Sequence, residues 1–148
     1  MQELIGSWKL IDWTVEMEGG RVVKPFRGRA TGVLTYTDEG RMVASLMRTD
    51  RDSIGTRSFA EAKALERASA AAGYLSYAGT YEIIGTEVHH HVDLSLFPDW
   101  VGGTQVRHIE WITNDDGSID LELSTAHEPQ ERSAVNRLRW HRITEDRA

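Results

Sequence analysis

Nine short segments rich in β-branched and aromatic residues follow one another along this 148-residue chain, each closed by Gly, Asp, Asn or Pro. That rhythm restricts the fold more than any other feature of the sequence. The segments span residues 4–16, 21–26, 30–37, 41–48, 75–84, 87–97, 104–113, 118–126 and 134–143. Eight or nine strands are what a small closed barrel needs to surround its own side chains or one small ligand. Three connections, Glu18-Gly19-Gly20, Asp38-Glu39-Gly40 and Asn114-Asp115-Asp116-Gly117, supply residues that tolerate positive φ and so suit tight hairpins. Successive hairpins predict an antiparallel, all-β meander. The alternation of strands with helices that marks a parallel sheet is missing.

One helix interrupts the meander. Ser58 and Glu61 have capping-box spacing, residues 59–72 are rich in Ala, Leu, Glu and Lys, and Gly73 follows as a stop. The helix is therefore expected over about 58–72, with Phe59, Ala62, Leu65, Ala68, Ser69 and Ala72 near one face. It packs on the outside of the sheet or lies across a barrel mouth. No repeat, low-complexity tract or linker divides residues 1–148, which are expected to form a single domain.

Composition narrows the choice of partners. The chain has 17 basic and 23 acidic side chains, a formal net charge of −6, and no run of basic residues. Nucleic acid and anionic membranes are poor partners for such a surface. There is no cysteine, so disulfides, thiolate metal sites and a cysteine nucleophile are excluded. That absence, with no basic and apolar leader after Met1 and no long apolar run, points to a cytoplasmic protein. Oligomeric state is left as monomer or homodimer.

Gly6-Ser7-Trp8, at the start of the first strand, resembles the G-x-W signature of calycin barrels. In those proteins the Trp closes one end of the barrel beneath an Arg from the last strand, so Gly6 and Trp8 are assigned to barrel closure. Here the last strand offers Arg137, Arg139 and Arg142. A longer set of segments resembles a bacterial and fungal lipocalin-like domain family. It comprises Gly32-Val33-Leu34-Thr35-Tyr36, Gly40-Arg41-Met42, Tyr77-Ala78-Gly79-Thr80-Tyr81, and the run from His90 to Gly102 followed by Gln105-Val106-Arg107. The resemblance implies a lipocalin-like barrel with one inserted helix. Related barrels include ligand carriers and also cofactor-free enzymes that cyclise or isomerise natural products, so both classes remain open.

The hairpin from Glu87 to Thr113 carries the candidate chemistry. Period-two alternation groups His89, His91, Asp93, Ser95 and Phe97 on one face of its first strand, with Val88, His90, Val92, Leu94 and Leu96 on the other. The second strand groups Gln105, Arg107, Ile109 and Trp111. If Ser95 lies opposite Arg107, the polar faces coincide and His91, Asp93, Ser95, Gln105 and Arg107 converge beside Trp100 and Trp111. Pointing inward, they form an apolar cavity with a few directed polar groups. Arg107 and Gln105 then orient a carbonyl or carboxylate, His91 and Asp93 form an acid/base pair, and Tyr36, Tyr77 or Tyr81 donates to a developing enolate. Pointing outward, the same residues are a solvated stripe and the aliphatic face fills the barrel. That orientation exposes Phe97, Ile109 and Trp111 together, which favours the inward one.

His89 and His91 share a face about 6–7 Å apart but lack a third ligand, so no metal site is expected, and no cofactor. Arg48 with Asp50-Arg51 either gates the mouth or forms a solvated turn. No serine-hydrolase elbow, P-loop or dinucleotide fingerprint occurs. Two functions follow. The first is binding of a small, largely apolar or carbonyl-containing molecule in the barrel. The second is a cofactor-free isomerase, cyclase or lyase of polyketide-like chemistry that uses His91 and Asp93.

Overall fold

A computed structural model describes residues 3–125 and 134–144. Its strands are β1 (Gly6–Glu16), β2 (Val22–Val23), β3 (Ala30–Tyr36), β4 (Arg41–Arg48), β5 (Tyr74–Ile84), β6 (Glu87–Ser95), β7 (Thr104–Thr113), β8 (Ile119–Thr125) and β9 (Val135–Arg142). Every pairing is antiparallel, and β1 pairs with β9 as well as with β3. The result is a closed eight-stranded barrel, with β2 as an additional short strand on β1. Closure leaves the eight barrel strands without an open edge.

The barrel interior follows the alternation of the strands. Trp8 and Leu10 of β1, Leu34 and Tyr36 of β3, and Met42, Ala44 and Leu46 of β4 are buried in one cluster. Val88 and Val92 of β6, Leu121 and Leu123 of β8 and Trp140 of β9 complete it. At one end Trp8 plugs the barrel. The Arg142 guanidinium lies 4.2 Å from the centre of the Trp8 ring, and the Trp8 indole N–H donates to the Leu4 carbonyl at 2.9 Å. Arg142 is thus the C-terminal arginine that meets Trp8. It also donates to the carbonyls of Ile5 and Glu3, tying the strand start to the strand end. Gly6 is required beside it: its φ is +128°, and a Cβ there would sit 2.8 Å from Arg142 Nη1.

The helix is shorter than its sequence suggests. A 3-10 turn covers Phe59–Glu61, and α1 covers only Ala64–Ala72. Ala62 is buried in extended geometry between them, so packing of this residue breaks the helix that propensity alone would begin at Ser58. Glu66 accepts the Lys63 backbone N–H at the true N-terminus, while Glu61 pairs with Arg57. The face expected to pack inward does not do so, since Leu65 is 85% exposed. The helix meets the barrel along β5. Arg51 donates to the Ala70 carbonyl, anchoring the segment after β4 to the helix, and Arg48 is held by Asp50. Arg48, Asp50 and Arg51 therefore border a polar outer cleft of about 480 Å³ and do not reach the barrel lumen. Among the described residues, no helix is long and apolar enough to cross a membrane.

Candidate functional site

A cavity of about 260 Å³ lies within the barrel, towards the end opposite Trp8. Its apolar wall includes Trp13, Leu34, Ala44, Leu46, Leu123 and Trp140. Its polar lining residues are Tyr77, His90 and Arg107 on β5, β6 and β7, with Thr125 on β8 and Asn136 on β9. Trp100, on the short turn after β6, stands edge-on to Tyr77 with ring centroids 5.7 Å apart. An apolar chamber with a few directed polar groups is the usual composition of a small-molecule site.

His90 is the centre of the polar side and is only 1% exposed. Its Nε2 lies 2.7 Å from the Tyr36 hydroxyl, and its Nδ1 lies 2.7 Å from the Tyr77 hydroxyl. Burial holds the imidazole neutral, with the Arg107 charge and the neighbouring histidines adding to the effect, and its pKa falls to about 3. Burial raises the hydroxyl pKa of both Tyr36 and Tyr77, against a lowering influence from Arg107. At neutral pH the three side chains are uncharged, and the fixed positive charge beside them belongs to Arg107. Its guanidinium donates to the Val106 carbonyl at 2.9 Å and to Gln105 Oε1 at 3.2 Å. Gln105, expected from sequence to meet the ligand, instead holds the arginine and is not among the residues lining the cavity.

The first strand of the hairpin is turned the other way from the sequence reading. His91 and Asp93 face outside the barrel, and each has partners there. Asp93 makes a two-pronged pair with Arg41 at 2.6 and 3.0 Å, and His91 bonds Glu82 and Thr104. The His91 side chain is 42% exposed and that of Asp93 54%. They do not form a pair in the cavity. Two features cause the inversion. The β6–β7 ladder pairs Val88 with Arg107 and His90 with Gln105, an odd offset from the register that places Ser95 against Arg107, and an odd slip exchanges the faces of a strand. A bulge between Ala78 and Gly79 also makes Asp93 the extra residue of β6, so the alternation changes phase there. Ser95 consequently lies across from Tyr77, and its hydroxyl accepts the Phe97 N–H. Leu94 and Leu96, which simple alternation sends inward with Val92, are exposed.

The second strand keeps its expected face. Arg107 lines the cavity, and Ile109 and Trp111 pack against the core, where Trp111 meets Trp8 at 6.0 Å between centroids. Of the three tyrosines, Tyr77 reaches the cavity, Tyr36 lies beneath His90, and Tyr81 spends its hydroxyl on the Thr37 carbonyl. His90, Trp13 and Trp140 were not singled out from sequence. The available signal for His90 is its position between Val88 and Val92, where one polar residue interrupts an aliphatic face.

A closed antiparallel barrel, capped by Trp8 under Arg142 and holding an apolar chamber, defines a calycin-type architecture. Residues 5–143 match the family of lipocalin-like domains, and the chain belongs to that family. Solved structures resembling it include a lipocalin-like protein from Bacteroides uniformis, with 14% identity and a TM-score of 0.46 over 95% of this chain and 98% of the other. An uncharacterized protein from Bacteroides eggerthii gives 13% identity and a TM-score of 0.47 over 95% and 100%. No curated protein matches the sequence.

Proposed function

We propose that the barrel binds one small, largely apolar molecule in the cavity above the Tyr36–His90–Tyr77 cluster, with the polar end of the ligand towards Tyr77 and Arg107. The observation that carries this reading is the convergence of those groups in a largely apolar chamber of about 260 Å³, whose other polar lining residues are Thr125 and Asn136. An apolar cavity of about 150 Å³ is large enough for benzene, so this one suits a compact molecule of one or two rings. A long acyl chain exceeds it. The outer cleft beside α1 is larger, but it is edged by Arg48, Asp50, Arg51 and Asp52 and lacks an enclosed apolar surface. The acid/base pair that an isomerase, cyclase or lyase reading needs, His91 and Asp93, lies outside the barrel, and the buried His90 has both ring nitrogens engaged by Tyr36 and Tyr77. Binding is the function the geometry supports.

The test is an NMR titration with 2-acetylnaphthalene, a two-ring neutral carbonyl compound, followed through backbone amide shifts. Saturable one-to-one binding with shifts clustered on β4, β5, β7 and β8 is expected, and Ala44→Phe, which fills the cavity, removes it. Shifts confined to residues 48–54 and α1, or undiminished binding by Ala44→Phe, contradict the reading.

A further inference from the structure

We propose that the cavity selects ligands bearing an oxyanion, a carboxylate or an enolate, and that Tyr77 and Arg107 receive it. This rests on the cavity being the binding site, and it narrows the class of ligand. Two structural facts lead to it.

The first is the direction of the hydrogen-bond chain. A neutral imidazole has one N–H and one lone-pair nitrogen, so one of the two tyrosines donates to His90 and the other accepts from it. Tyr36 is 1% exposed, and His90 Nε2 is the partner of its hydroxyl among the described residues. If Nε2 carried the proton, the Tyr36 O–H would be buried with no acceptor, at a cost of about 1–3 kcal/mol. Tyr36 therefore donates to Nε2, Nδ1 carries the proton, and Nδ1–H donates to the Tyr77 oxygen. The proton of Tyr77 is left over, and Tyr77 lines the cavity. The chain thus ends in an O–H with no acceptor among the described residues, on a side chain that lines the cavity. Hydrogen bonds in series polarise one another, and the Tyr77 O–H is the stronger donor for accepting from His90.

The second fact is the state of Arg107. It lines the same cavity, and its hydrogen bonds among the described residues go to a backbone carbonyl and an amide oxygen, both neutral. Arg41, Arg48, Arg137 and Arg139 each meet a carboxylate, and Arg142, which also has neutral hydrogen-bond partners, is stacked on Trp8 at the closed end and does not line the cavity. A guanidinium placed among uncharged Tyr and His side chains at an apolar chamber attracts an anion, and a charge-assisted contact is stronger than a neutral one. A neutral carbonyl satisfies the Tyr77 donor but leaves Arg107 without a counter-charge among the described residues. An oxyanion satisfies both.

The test compares 2-naphthoate with 2-naphthamide, which have the same rings and differ in charge, by calorimetry at neutral pH. Naphthoate is expected to bind about 10–100-fold more tightly, the range for a hydrogen bond to a charged group. Arg107→Gln is expected to weaken naphthoate more than naphthamide and so to abolish most of that preference, and Tyr77→Phe to weaken naphthoate about tenfold. Naphthalene, which carries no polar group for Tyr77 or Arg107 to meet, serves as the control for an intact cavity in each variant. Equal affinity of the two probes for the unsubstituted protein overturns the oxyanion assignment alone, as does a preference that survives Arg107→Gln. Failure of both probes to bind at millimolar concentration, or binding undiminished by Ala44→Phe, overturns the cavity reading and the proposal with it.

Discussion

Replacing His90 with Gln should remove a specific part of the acid sensitivity of the protein. The imidazole is neutral in the folded state with a pKa of about 3, whereas in the unfolded chain it titrates near 6.5. Between those values the unfolded chain binds the extra proton, so stability falls as the pH is lowered through about 6.5 and continues to fall until the folded value is reached. Taking the two values, linkage gives a loss of about 2 kcal/mol at roughly pH 5 relative to neutral pH and above. The figure is set by the free-chain value, since at that pH the folded imidazole is still neutral. For a domain of this size 2 kcal/mol corresponds to roughly 4–8 °C in Tm. Urea unfolding followed by tryptophan fluorescence at several pH values provides the assay. His90→Gln is destabilised at neutral pH because it leaves tyrosine hydroxyls short of partners, but the difference between variant and parent should shrink by about 2 kcal/mol on going to roughly pH 5. A difference that stays constant across the range refutes the neutral, doubly bonded imidazole.

Three further substitutions test other parts of the structure. Asp120 is buried on the outer wall; burial pushes its carboxyl pKa up, but hydrogen bonds from His141 and Arg139 at 2.6 and 2.9 Å more than offset this and hold it below the usual range. Its contribution is present above the ordinary carboxylate range and lost as pH falls below about 4, so Asp120→Asn should cost about 1–3 kcal/mol at neutral pH and flatten the acid limb of the urea-stability profile. Arg142→Ala removes the cation over Trp8 and two strand-end hydrogen bonds, and a loss of about 1–3 kcal/mol is expected by thermal unfolding, with the Trp8 environment changed in near-UV circular dichroism. Gly79→Ala places a Cβ against the His91 carbonyl at the bulge, where backbone has no room to yield. It should give insoluble or strongly destabilised protein, and a soluble variant of parental Tm would contradict the bulge.

The barrel was legible because strand alternation and turn chemistry are local. β4 and β7 begin and end where the composition places them, and the other barrel strands differ by a few residues. Arg107 and Trp111 were legible as inward groups for the same reason, whereas Trp100 sits on the Pro98–Trp100 turn, to which alternation does not apply. The orientation of β6 was not, because it depends on a bulge at Gly79 and on the length of the loop from Leu96 to Gly103, both fixed by pairing across strands. Alternation read without that phase change sends His91 and Asp93 inward and hides His90. The start of α1 was missed for a related reason: burial of Ala62 decides it, and the Ser58–Glu61 spacing does not.

The most direct test of the account is a set of intermolecular NOEs between 2-naphthoate and the protein. The cavity site predicts contacts from the naphthyl protons to methyl groups of Leu46, Leu123 and Leu138 and to the Tyr77 ring, all on the chamber wall. Contacts to Ile54 and Leu65 of the outer cleft, with none to those four residues, would contradict it.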